Sequence, residues 1–122
     1  MAASSASFHE AVEKLKPATM DLHRAIVSLM EELEAVDWYQ QRVDATGDDE
    51  LREILAHNRD EEKEHAAMVL EWIRRHDPKL DEMLRAYLFT SGNIVREEVA
   101  AAGGNGAAPA AATTLGSLRG GR

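Results

Sequence analysis

Asn58-Arg59-Asp60-Glu61-Glu62-Lys63-Glu64-His65 lies in a stretch whose apolar spacing is helical. Leu51, Leu55, Asn58, Glu62, His65, Val69, Trp72 and His76 follow one another at alternating steps of four and three. This is the seam that one helix presents to another. Glu62 and His65 stand in its middle, where apolar side chains are expected. A carboxylate and an imidazole three residues apart are neighbours on a helix surface. An inward-facing Glu-x-x-His is also the means by which di-iron and di-manganese carboxylate bundles hold metal. A single such motif arises often by chance, so its weight depends on what lies on the neighbouring helix.

Upstream, Leu22, Ala25, Leu29, Glu32, Val36, Tyr39 and Val43 repeat at steps of three and four. They predict a helix from Ala18 to about Asp44, roughly 40 Å long. One carboxylate, Glu32, again interrupts an apolar seam, and Tyr39 brings a hydroxyl to it two turns later. Ala45-Thr46-Gly47-Asp48 reads as the turn, with Gly47 leaving the helix and Asp48 capping the next. The second helix runs from about Asp49 to His76. Two long helices joined by so short a turn form an antiparallel hairpin.

The ends are less regular. Residues 1–6 are small and polar, and Ser7 with Glu10 fits a capping box that can open a short helix. Pro17 should bend or end that helix. Asp77-Pro78 stops the second long helix and opens a third, with proline at its first position. Leu80, Met83, Leu84, Tyr87 and Leu88 make this third helix amphipathic, Ser91-Gly92-Asn93 breaks it, and Ile94 to Ala102 can add a last helical piece. A Gly/Ala/Pro linker without apolar period begins at Gly103. The chain thus divides into an N-terminal arm (1–17), a helical half-bundle (18–102), and a linker with a terminal peptide (103–122). That peptide, with Leu115 and Leu118 on a flexible tether, reads either as a docking signal or as a plain disordered terminus, and composition alone favours the latter.

The 122 residues include 22 acidic and 14 basic ones, a formal charge of −8. The last twenty contribute two Arg and no acid, so the helical body is more acidic still. Such a charge disfavours nucleic acid and anionic membranes and attracts cations. Without Cys, any metal must be held by oxygen and imidazole nitrogen. No apolar run approaches the ~20 residues a membrane helix needs. The N-terminus has neither the basic nor the apolar region of a signal peptide, so a cytoplasmic location is expected.

A bundle di-metal site takes a Glu from each of two helices and Glu-x-x-His from each of the other two. Glu32, Glu62 and His65 are half of that set. A two-fold dimer, which repeats one patch on both partners, would supply the rest. Two hairpins would then build one four-helix bundle around four carboxylates, whose repulsion two divalent cations would cancel. Off the seam, Glu61 and Glu64 read as solvated, as do His9, His23 and His57, while His76 suits a helix C-terminus. Asn58 is either a partner to the ligands or a polar residue fixing register. Trp38 and Trp72 read as packing residues, and Tyr39 as either a hydroxyl near the metals or a core tyrosine.

The runs Ile26–Tyr39 and Leu55–Met68, which carry Glu31-Glu32-Leu33-Glu34 and Glu61-Glu62-Lys63-Glu64-His65, resemble the encapsulated ferritins, and the similarity spans roughly residues 8–95. Leu115-Gly116-Ser117-Leu118-Arg119 looks like the peptide that loads cargo into encapsulin shells. The resemblance implies a ferroxidase: oxidation of Fe(II) to Fe(III) by dioxygen at a di-iron centre between two chains. Glu32, Glu62 and His65 match its ligands, and Tyr39 matches a residue close to it. Glu31 and Glu34 match acidic residues that bind cations such as calcium near the entry route, and Trp38 matches their neighbour. It further implies dimers assembled into a ring, commonly a decamer, that feeds mineral storage in an encapsulin nanocompartment in the cytoplasm. Two other readings stand beside this one: a rubrerythrin-like peroxidase at the same centre, and a non-catalytic helical cargo protein whose metals are structural.

Overall fold

A computed structural model of the chain describes residues 6–98. The terminal peptide, the linker and the far part of the predicted Ile94–Ala102 piece lie outside the described residues. The described residues form helices joined by turns and loops, without strands. They divide at His76–Asp77 into two compact units.

The first unit is the predicted antiparallel hairpin. Helix α1 spans Pro17–Ala45 and helix α2 spans Asp49–His76. The helix expected from the Ser7/Glu10 box does not form, and a single 3-10 turn at Val12–Lys14 takes its place. The reason is local. Proline forces its predecessor out of helical conformation, and Lys16 is extended at φ −74°, ψ 149°. Too few residues then remain upstream for a stable helix. Pro17 neither bends nor ends a helix; it is the first residue of α1, where its missing N–H costs nothing.

At the turn, Asp48 caps as expected, its Oδ1 accepting from the Leu51 amide at 2.8 Å. Its own amide donates to Thr46 Oγ1 at 3.2 Å. The departure from α1 differs from expectation. Extended Thr46, at φ −77° and ψ 141°, closes the helix, and Gly47 is not in the left-handed region. Arg52 secures the turn by donating to the Thr46 carbonyl at 2.6 Å. At the N-terminal end of α1, His23 Nε2 bonds the Ala6 carbonyl at 2.9 Å and its ring lies 4.4 Å from that of Phe8.

Every residue of the α1 seam, from Leu22 to Val43, is half-buried. The α2 seam behaves differently. Among the described residues only Ala66 and Ile73 are fully buried, and neither lies on that seam. They belong to the heptad line Arg52, Arg59, Ala66, Ile73, roughly a sixth of a turn away. The seam itself borders the contact with α1 and continues onto an open flank, where Ile54 is 52%, Met68 58% and Trp72 38% exposed. Each large aliphatic side chain left in water forgoes ~1.5–3 kcal/mol. The hairpin therefore has two buried side chains of its own and an apolar flank suited to a partner.

The second unit contains α3, Pro78–Tyr87, capped by Asp77 Oδ1 accepting from the Leu80 amide at 2.9 Å. It ends before Ser91-Gly92-Asn93: Leu88 is extended and Phe89 has φ 64°. Residues 94–98 are helical again, opened by Asn93 Oδ1 accepting from the Arg96 amide at 3.2 Å. No helix among the described residues is long and apolar enough to cross a membrane.

Candidate metal centre

Glu32 lies between Leu29 and Val36 on the half-buried seam of α1, and Glu62 and His65 stand one turn apart on α2. The antiparallel hairpin brings them together. One potential ligand atom from each falls within 4.8 Å of the other two, the only such grouping of acids and histidines among the described residues. His65 Nδ1 donates to Glu62 Oε1 at 2.9 Å and lies 3.5 Å from Glu32 Oε2. Glu32 and Glu62 are about three-quarters covered, while the His65 side chain is 41% exposed. The cluster opens towards the flank that also carries Met68 and Trp72. On that side a groove runs between Ala25 and Ser28 of α1 and Met68, Val69 and Trp72 of α2.

The electrostatics are those of too many carboxylates in one place. Desolvation, then a hydrogen bond and charge repulsion from Glu62, raise the Glu32 pKa above its usual range, against the attraction of His65. The His65 imidazole is raised too, chiefly by its bond to Glu62 and by the charges of Glu32 and Glu62. The cluster thus leans towards proton uptake at two of its three members. A divalent cation would replace those protons and bond the same atoms. Two hard carboxylates and one imidazole, without thiolate, suit Fe(II), Mn(II) or Zn(II). Three side-chain donors leave coordination positions open to water or to other donors, and the His65 edge of the cluster is exposed.

The other predicted residues stand apart from this cluster. Tyr39 is seven residues beyond Glu32, roughly 10 Å along α1. It is half-buried, and its ring packs under the Arg42 guanidinium at 5.3 Å. Glu31, Glu34 and Trp38 form an exposed stripe on another face of α1, Trp38 being 51% exposed. Asn58 is half-buried on the open flank. Sequence reasoning did not single out Arg59, which reaches across to α1. Its only mark is the seven-residue spacing it shares with Arg52, Ala66 and Ile73.

Comparison with known proteins agrees with this arrangement. The EncFtn-like family model matches residues 7–91. An encapsulated ferritin-like protein of Rhodospirillum rubrum is 66% identical over 106 residues, covering 87% of this chain and 76% of that protein. A ferritin-like protein of Thermotoga maritima is 54% identical, over 80% of this chain and 86% of its own. The encapsulin nanocompartment cargo protein EncC of Myxococcus xanthus is 36% identical, over 92% and 95%. Among solved structures, a Nitrosomonas europaea protein superposes with a TM-score of 0.70 at 62% identity, covering 72% of this chain and 97% of that one. With the hairpin, the cluster and the match over residues 7–91 together, the chain belongs to the EncFtn-like family.

Proposed function

We propose that the chain is a ferroxidase: Fe(II) is its substrate, oxidised to Fe(III) by dioxygen at a site completed by a second copy of the chain. The observation that carries this reading is the three-donor cluster Glu32, Glu62 and His65, its His65 side chain 41% exposed, beside an open apolar flank. Two copies related by a two-fold axis would present four carboxylates and two imidazoles to two irons. Glu32, Glu62 and His65 of each copy would together hold the irons. Oxygen donors favour Fe(III) over Fe(II), because the charge they neutralise is larger. A pair of irons held together supplies two electrons to one dioxygen.

The chain's own residues have defined parts. Glu62 orients His65 through the 2.9 Å bond to Nδ1. Glu32, whose pKa is raised by desolvation and by Glu62, would give up any proton it holds when iron binds. Tyr39 supplies a hydroxyl on the same seam. Glu31 and Glu34, with Trp38 beside them, form an exposed acidic stripe that draws Fe(II) and other cations such as calcium towards the dimer. Dimers would assemble further into a ring, commonly a decamer.

Two relatives are named for encapsulation and for cargo in an encapsulin nanocompartment, which supports the same destination here. Leu115-Gly116-Ser117-Leu118-Arg119 would be the segment that the shell protein binds. Anaerobic loading with Fe(II) followed by exposure to air tests the reading. Ferric absorbance should develop with the native chain and fail with Glu62→Ala and His65→Ala, their helicity intact. Undiminished oxidation by either variant would exclude this centre.

A further inference from the structure

The metal cluster depends on axial register, because α1 supplies Glu32 and α2 supplies Glu62 and His65. A slip of one helical turn moves a ligand by ~5.4 Å, more than the 4.8 Å that encloses the three ligand atoms. Few fully buried apolar side chains are there to specify that register. On the line of α2 that faces α1, Ala66 and Ile73 are buried, and both lie on the same side of the cluster, away from the turn. On the turn side the same line carries Arg59. Asp60 holds two arms of its guanidinium, Nε at 2.9 Å and Nη2 at 3.2 Å. The remaining arm, Nη1, donates to Gln40 Oε1 on α1 at 2.7 Å. Gln40 is fixed in turn by donating Nε2 to Asp44 Oδ1 at 2.9 Å. The Arg59 side chain is only 20% exposed.

The geometry points to Arg59 and Gln40 as positioning residues: their cross-helix bond locks the register of the hairpin and so pre-assembles the metal cluster. The contact lies at the exposed edge of the helix pair, Gln40 being exposed, and a polar contact between helices is a known device for choosing one register among several. The bond has a direction and a single acceptor, which Ala66 and Ile73 lack. Neither residue touches a ligand, so their effect on metal passes through the placement of α1 against α2. This inference rests on the metal reading above, but not on iron oxidation.

Co(II) is the probe, because its visible spectrum reports coordination geometry without redox chemistry. Titrations of the full chain should show Gln40→Leu and Arg59→Met binding Co(II) roughly 3- to 10-fold more weakly, the range of one lost hydrogen bond. Their saturated spectra should be broadened, with helicity unchanged. Gln40→Glu keeps the acceptor for Arg59 but exchanges the bond to Asp44 for a like charge, so it should weaken binding less than Gln40→Leu. The double variant should be no weaker than the worse single one. Unchanged affinity and spectrum in Gln40→Leu, with Co(II) bound normally by the native chain, would overturn the positioning role and leave the metal site standing. Equal weakening by Gln40→Glu and Gln40→Leu would overturn it as well. A native chain that binds no Co(II) would remove the metal reading and this inference together.

Discussion

Replacing Glu62 by Gln should change stability in opposite directions without and with metal. Glutamine keeps the shape and an acceptor for His65 Nδ1 but removes one negative charge from beside Glu32. Two unit charges 4 Å apart repel by about 1 kcal/mol in water and about 4 kcal/mol near a protein surface. With roughly a quarter of each carboxylate side chain exposed, about 1–2 kcal/mol is the fitting part of that range. At pH 8, where proton uptake by Glu32 relieves least of the strain, metal-free Glu62→Gln should therefore melt at least ~4 °C above the native chain. Co(II) at a hundred times its Kd stabilises a binding-competent fold by ~2.7 kcal/mol, and the variant forgoes that gain. Melting followed by circular dichroism under nitrogen, with and without Co(II), should show the two curves exchanging order. A metal-free variant less stable than the native chain, and raised by Co(II) as much as the native chain, would refute the reasoning.

Three further outcomes follow from the same contacts. Metal affinity should rise with pH through and above 6.5, the ordinary imidazole value, because the His65 and Glu32 pKa values are both raised and both protons must leave before the ligands can bind; calorimetry in buffers of different ionisation enthalpy should detect proton release, and pH-independent binding would contradict this. Asp48→Ala removes the cap on the Leu51 amide and should cost about 0.5–2 kcal/mol of hairpin stability, measured by denaturant melts, with the metal stoichiometry unchanged. Glu71, gripped by Arg74 and Arg75 at 2.7 Å each, has its carboxyl lowered to about 2. Its folded pKa lies below the ordinary 4.5, so its contribution is whole above 4.5 and is lost as pH falls towards 2; a side-chain NMR titration with a midpoint near 4.5 would contradict it.

Much of this molecule is legible in its amino-acid order. The two long helices follow from apolar periodicity, and the ends of α2 from Asp48 and the Asp77-Pro78 pair. Glu32, Glu62 and His65 stand out because each is polar where the seam is otherwise apolar, and the hairpin brings them within reach of one another. The line along which α2 meets α1 is less visible. Two of its four heptad positions are Arg52 and Arg59, whose charges hide that their guanidinium groups bond the turn and α1. The seam that periodicity marks most strongly on α2 instead borders that contact and runs onto the open flank. The bond from Arg59 to Gln40 leaves no trace in sequence, since a long side chain selects its partner only once two helices are in register. The capping box at Ser7 misleads because the extended backbone before Pro17 stops any helix that starts there.

The central claim is that one chain holds half a metal pocket and a second copy supplies the other half. Native mass spectrometry during an anaerobic Fe(II) titration tests it most directly. Metal should appear on paired chains, two irons to each pair, while single chains stay empty. Single chains that take up iron with the affinity of the pairs would contradict it.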